Sequence, residues 1–133
     1  MRVKRVDHIA IVVQNLDEAL GVYRDRLGME VAHTETIAEQ DVKIGFLPVG
    51  DSELELLEPI NSESGIGRYL ARRGEGLHHI CLEVESIEET MAEFKAAGLQ
   101  LIDERPRQGA NGKIAFIHPK SAHGVLIELL QRE

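Results

Sequence analysis

Two histidines and two glutamates stand at matching places in the two halves of this 133-residue chain. His8 lies in Val6-Asp7-His8-Ile9-Ala10-Ile11-Val12-Val13, and His79 lies in Gly76-Leu77-His78-His79-Ile80-Cys81-Leu82-Glu83-Val84, 71 residues later. Glu55 sits inside Leu54-Glu55-Leu56-Leu57, and Glu128 follows at a separation of 73 inside Leu126-Ile127-Glu128-Leu129-Leu130. Imidazole nitrogens with carboxylate oxygens form a mixed donor set for Co2+, Mn2+, Ni2+, Fe2+ or Zn2+, without the thiolates of a structural zinc site. Four protein donors around an octahedral ion leave two positions open, which is the mark of a catalytic metal. Two carboxylates would offset the ion's charge, and its Lewis acidity would act on a ligand that chelates through two oxygens.

A lone histidine beside an apolar strand is ordinarily structural. Recurrence at one place in two equivalent strands points instead to a shared axis, with two inherited core histidines as the alternative. Glu128 has apolar neighbours on both sides, so burial with a partner is expected of it. Glu55 has Glu53 on the same strand face, so solvent is the competing reading for that residue.

The elements that must position these residues are also duplicated. The offset of 71 pairs Asn15 with Ser86, Leu16 with Ile87, Glu18 with Glu89 and Tyr23 with Phe94, and Gly28 matches Gly98 at an offset of 70. Each half opens with a Val- and Ile-rich strand. A capping box follows, Asn15-x-x-Glu18 or Ser86-x-x-Glu89, and predicts a helix start. Leu16, Ala19, Leu20, Tyr23 and Leu27 share one helical face, as do Ile87, Met91 and Phe94. Gly28 and Gly98 stand where left-handed caps are expected. Strands are predicted over 30–36, 42–47 and 53–57, and over 99–103, 114–117 and 125–130. Residues 64–73 read as a linking helix ending at Gly74, and 109–112 as a flexible loop. The reading is one α+β domain of two βαβββ modules, about 1–62 and 75–133, joined by a short helix.

The net charge of −8 speaks against nucleic acid or an anionic membrane as the main partner, though a local field can still hold an anionic small molecule. The longest apolar runs, such as Ile9 to Val13, are too short to span a bilayer. The basic N-terminus is not followed by an apolar stretch, so no signal peptide is expected. The one cysteine, Cys81, leaves no intramolecular disulfide, fits a reducing cytoplasm, and matches Ala10 as a small core residue. His78 should face away from His79 and be structural or a second-layer residue. His33, His118 and His123 are not expected to be ligands. Serine-hydrolase, P-loop and dinucleotide-binding motifs are absent from the sequence.

Asp7-His8-Ile9-Ala10, the paired modules and the closing glutamate resemble the vicinal oxygen chelate superfamily, which includes glyoxalase I and extradiol dioxygenases. Four stretches are more specifically similar to the methylmalonyl-CoA epimerase family: Glu55-Leu56-Leu57-Glu58-Pro59, Gly76-Leu77-His78-His79-Ile80, His118-Pro119-Lys120-Ser121 and Gly124-Val125-Leu126-Ile127-Glu128-Leu129. The resemblance implies that the modules pair into a curved, partly open mixed β-sheet around the metal site. It implies His8, Glu55, His79 and Glu128 as ligands of one divalent ion, with Co2+ foremost. It further implies interconversion of the C2 epimers of methylmalonyl-CoA in propionyl-CoA metabolism, by an enolate that the metal stabilises. Epimerisation needs proton carriers on both faces of C2. The resemblance gives Glu128 as one of them.

The second carrier is open. Some family members have a carboxylate in the strand matching 42–47, and alignment on Pro48 puts Lys43 there, a poor base unless its pKa is depressed. Glu39, Asp41 and a metal-bound water are the other candidates. Lys113 and Lys120 are the expected substrate-binding cations for the CoA phosphates, with Arg105 or Arg107 beside them. The scaffold is commonly a homodimer. Alternative readings are another metalloenzyme of the superfamily, such as glyoxalase I or an extradiol dioxygenase, or a small-molecule-binding member without catalysis.

Overall fold

The computed structural model describes residues 2–133. They divide into two compact units, one made of residues 2–8 with His79–Glu133 and the other of Ile9–His78. The opening strand, β1 (Val3–Val12), contributes its first half to one unit and its second half to the other.

The Ile9–His78 unit continues through α1 (Leu16–Tyr23), β2 (His33–Ile37), β3 (Val42–Val49), β4 (Ser52–Pro59) and α2 (Gly65–Arg73). Helix α1 starts where the capping box requires, because the Asn15 side chain accepts a hydrogen bond from the Glu18 N–H at 2.9 Å. It ends at Tyr23, so Leu27 lies beyond it in a turn and is exposed rather than on the apolar face. Gly28 adopts the expected positive φ. The linking helix is as predicted, with the Ser64 side chain accepting from the Gly67 N–H and Gly74 at the C-cap.

The order here is β2-β3-β4-β1, with antiparallel β2/β3 and β3/β4 pairs. Strand alternation separates two faces. Leu47, Leu54 and Leu56 pack with Leu16 and Leu20 of α1. Val42, Ile44, Phe46 and Leu57 pack on the other side with Ala10, Val12, Tyr69 and Leu70.

The other unit adds β5 (Gly76–Val84) from His79 onward, then α3 (Ile87–Ala96), β6 (Arg107–Gln108), β7 (Gly112–Ile117) and β8 (Ile127–Arg132). Its order is β1-β5-β8-β7-β6, with β5 and β8 parallel and β6/β7/β8 antiparallel. Helix α3 has its own capping box, Ser86 accepting from the Glu89 N–H, and lays Ile87 and Met91 on Val84, Ala115, Ile117 and Leu129. Among the described residues, eight strands and three α-helices, in two β-α-β-β-β runs with both parallel and antiparallel pairs, bear out the α+β modules expected from the repeats and the mixed sheet that the resemblance implied.

One predicted strand does not form. Residues 99–103 make only a single bridge, Leu101 with Ile117. The Asp103 side chain accepts the Phe116 N–H at 2.7 Å, taking the place a backbone carbonyl would hold in a longer ladder. Residues 109–112 form the β6–β7 turn, closed by the Gly109 N–H on the Gly112 carbonyl at 2.8 Å.

Gly112 has φ +150, and a Cβ there would overlap the Gln131 carbonyl oxygen of β8. Gly112→Ala should therefore cost about 2 kcal/mol or more, from backbone strain and overpacking together. Chemical denaturation checks this; a loss under about 0.5 kcal/mol would mean that β7 and β8 do not approach so closely.

Candidate metal centre

His8 on β1, His79 on β5 and Glu128 on β8 come together within one unit. Adjacent strands bring them there: Glu128 is the parallel partner of Cys81, two residues beyond His79. The three are buried, at 8%, 8% and 9% exposure. His8 Nε2 lies 3.2 Å from His79 Nε2 and 3.2 Å from Glu128 Oε1, and His79 Nε2 lies 3.1 Å from the same oxygen. Such edges suit one cation: donors about 2.1 Å from an ion stand ~3.0 Å apart at right angles and ~3.4 Å apart in a tetrahedron.

The electrostatics agree with that fit. Burial by itself would raise the Glu128 carboxyl. The two imidazoles beside it, His79 foremost, outweigh burial and hold the group down at about 2, so Glu128 is a carboxylate at neutral pH. Behind the cluster, His8 Nδ1 donates to Asp7 Oδ2 at 2.9 Å, and Asp7 also pairs with Arg132 and Arg5. Burial would raise the Asp7 carboxyl too, but the His8 and Arg132 hydrogen bonds bring it to about 2. Cys81 lies beside Asp7 and His8, and burial pushes its thiol up to about 11, which leaves it protonated and fits the small core residue expected.

Phe116 lines the cluster on β7. It is the cross-strand partner of Glu128, its ring meets His79 edge-on at 5.7 Å, and the Arg107 guanidinium lies over it at 5.6 Å. Arg132 and Phe116 carry no motif of their own in the sequence. Only the acidic neighbour of His8 was visible there, within Asp7-His8-Ile9-Ala10.

Glu55 belongs to the Ile9–His78 unit. It is half-buried on β4 opposite Phe46, and so shares the face of Ile44 and Leu57. Lys43 pairs with Glu58 across β3 and β4 and lies on the opposite face, the one covered by α1. The positions of β3 that share a face with Glu55 are Val42, Ile44 and Phe46, which do not titrate.

Of the other candidates, Lys113 pairs with Glu88 at 3.4 Å, and Arg107 with Asp103 at 2.7 Å. Lys120 is exposed in a 3-10 turn, Pro119–Ala122. That turn explains the His118-Pro-Lys-Ser stretch: His118 Nδ1 accepts the Lys120 N–H, and the Ser121 hydroxyl accepts the Gln100 N–H. His123 closes it with φ +55, His33 stacks on Phe46, and His78 packs against Tyr69.

A family model of the Glyoxalase/Bleomycin resistance protein/Dioxygenase superfamily matches residues 7–116. The mitochondrial methylmalonyl-CoA epimerase of Mus musculus is 36% identical over 96% of this chain and 72% of its own length. The ethylmalonyl-CoA/methylmalonyl-CoA epimerase of Cereibacter sphaeroides is 37% identical over 96% of this chain and 97% of its own. Among solved structures, a variant of Streptomyces coelicolor methylmalonyl-CoA epimerase in complex with 2-nitronate-propionyl-CoA superposes with TM-score 0.84 at 39% identity, covering 98% of this chain and 95% of that one. With this likeness along nearly its whole length, the chain belongs to the methylmalonyl-CoA epimerase family of the glyoxalase/bleomycin resistance protein/dioxygenase superfamily.

Proposed function

We propose that this chain epimerises methylmalonyl-CoA at C2, with a divalent ion held by His8, His79 and Glu128 and by Glu55 as fourth ligand. The observation that carries the reading is the convergence of two imidazole nitrogens and a carboxylate oxygen at 3.1–3.2 Å, in a chain related to epimerases along its length. Glu55 enters through the duplication, as the counterpart of Glu128 in the last strand of the first module. The bound ion supplies Lewis acidity to the oxygens flanking C2, lowering the cost of negative charge there.

The residues of the chain do the rest. Glu128, ionised at neutral pH, takes the C2 proton on one face and returns it in the reverse direction. His8, His79 and Phe116 surround it and keep bulk water from the carboxylate. Lys113 and Lys120 are the proposed contacts for the CoA phosphates, both on exposed segments. Co2+ is the ion best suited to the reading, Mn2+, Ni2+ and Zn2+ being chemically compatible with the same donors. We place the enzyme in propionyl-CoA metabolism, in the cytoplasm, as a homodimer whose two modules act as one domain. No helix among the described residues is long and apolar enough to cross a membrane.

Incubating metal-loaded protein with a single epimer of methylmalonyl-CoA and resolving the products tests the activity. An equilibrium mixture of the two C2 epimers is expected; unchanged starting epimer would refute it. Lys43 lies on the α1 side of its strand and takes no part in this scheme. Lys43→Ala should accordingly keep turnover within about a factor of three, whereas a loss near a hundredfold, the scale of a missing acid–base group, would make Lys43 the second proton carrier.

A further inference from the structure

A set of charged side chains gathers behind His8, and the scheme above uses none of them. Asp7 is only 5% exposed although it is a carboxylate. Its Oδ1 accepts from Arg132 Nη2 at 2.6 Å, from Arg132 Nε at 3.1 Å and from Arg5 Nη2 at 2.9 Å. Arg5 donates onward to Glu83 Oε1 at 2.8 Å. The other oxygen of Asp7, Oδ2, accepts from His8 Nδ1 at 2.9 Å. Two guanidiniums thus fix the carboxylate through one oxygen, and it offers the other to the imidazole. An ionised carboxylate only accepts, so the proton of a neutral His8 sits on Nδ1 and Nε2 keeps its lone pair. Nε2 is the atom 3.2 Å from both His79 Nε2 and Glu128 Oε1.

A regular strand would forbid this contact, because neighbouring side chains point to opposite faces. In β1 the burial pattern changes phase: Arg5 is half-buried and Val6 exposed, then Asp7 and His8 are both buried, then Ala10 and Val12.

We propose that Asp7, clamped by Arg132 and Arg5, is the positioning residue of His8. It holds the Nδ1–H tautomer and the ring orientation, and so makes Nε2 a stronger and better-aimed ligand. This rests on His8 being a metal ligand. Strand β8 then serves the centre twice, through Glu128 itself and, four residues on, through the cation that steadies Asp7.

The test is Asp7→Asn, which keeps the shape but removes the charge and gives His8 Nδ1 a possible donor. Long-range 1H–15N correlation spectra of histidine-labelled, metal-free protein read the tautomer without metal or substrate. Wild-type His8 should be the Nδ1–H form, and Asp7→Asn should shift it toward Nε2–H. Co2+ affinity, measured by competition with a chromophoric chelator, should fall about 10–100-fold in the variant, the usual worth of such an outer partner. An Nε2–H tautomer in wild type would overturn the proposal, as would an Asp7→Asn variant with wild-type tautomer and affinity. If Asp7→Asn does not fold, Asp7→Ser, which removes the carboxylate that accepts from His8 Nδ1, is read by the same two measurements and judged by the same outcomes. A wild-type protein that keeps the Nδ1–H form but binds no Co2+ would overturn the metal reading and this proposal with it, and would be told apart by the wild-type titration alone.

Discussion

Glu128→Gln should lower turnover by roughly 10²–10⁴ with Co2+ in excess, the usual worth of a positioned general base. Glutamine keeps the size of the side chain and an oxygen that can still coordinate, but the basic carboxylate is gone. The amide is also the weaker ligand, so metal occupancy must be measured alongside rate. With occupancy restored, the loss should fall on kcat more than on KM, because proton transfer is made only in the transition state. Exchange of the C2 proton with solvent sharpens the test. Two carriers on opposite faces would leave the variant exchanging from one epimer and not the other. Equal residual exchange from both epimers, with metal bound, would reduce Glu128 to a ligand.

His79→Ala should leave the protein folded and weaken its hold on the ion by about a hundredfold or more, beyond the 10–100-fold typical of an outer partner. His79 Nε2 contacts both His8 Nε2 and Glu128 Oε1, so truncation removes one corner of the donor triangle and opens the site to water. Wild-type protein should hold about one divalent ion per chain. Elemental analysis after dialysis against a chelator reads both numbers, and full occupancy in the variant would refute the assignment of His79.

The sequence exposed the duplicated parts of this protein because duplication repeats local physics. Asn15 and Ser86 cap helices in both halves, and Ser64 and Gly74 bound the linking helix, since caps depend on neighbours along the chain. His8, His79 and Glu128 were legible for the same reason: each sits in a strand that has a counterpart 71 to 73 residues away. What stayed hidden depends on neighbours distant in sequence. The strand over 99–103 fails because Asp103 takes a backbone N–H from Phe116. Helix α1 stops before Leu27, although spacing alone puts that residue on its apolar face. Lys43 aligns with a carboxylate by counting from Pro48, and only the β3–β4 register shows which face it occupies. Asp7 and Arg132, 125 residues apart, meet only in the fold.

Epimerisation as proposed requires the chain to remove and return the C2 proton of methylmalonyl-CoA. The most direct measurement follows deuterium entering C2 when Co2+-loaded protein is incubated with one epimer in D2O. Mass spectrometry should find deuterium at C2 in both epimers at equilibrium, at a rate that collapses when the metal is removed. Absence of C2 deuterium in fully metal-loaded protein, with the starting epimer recovered unchanged, would contradict the account.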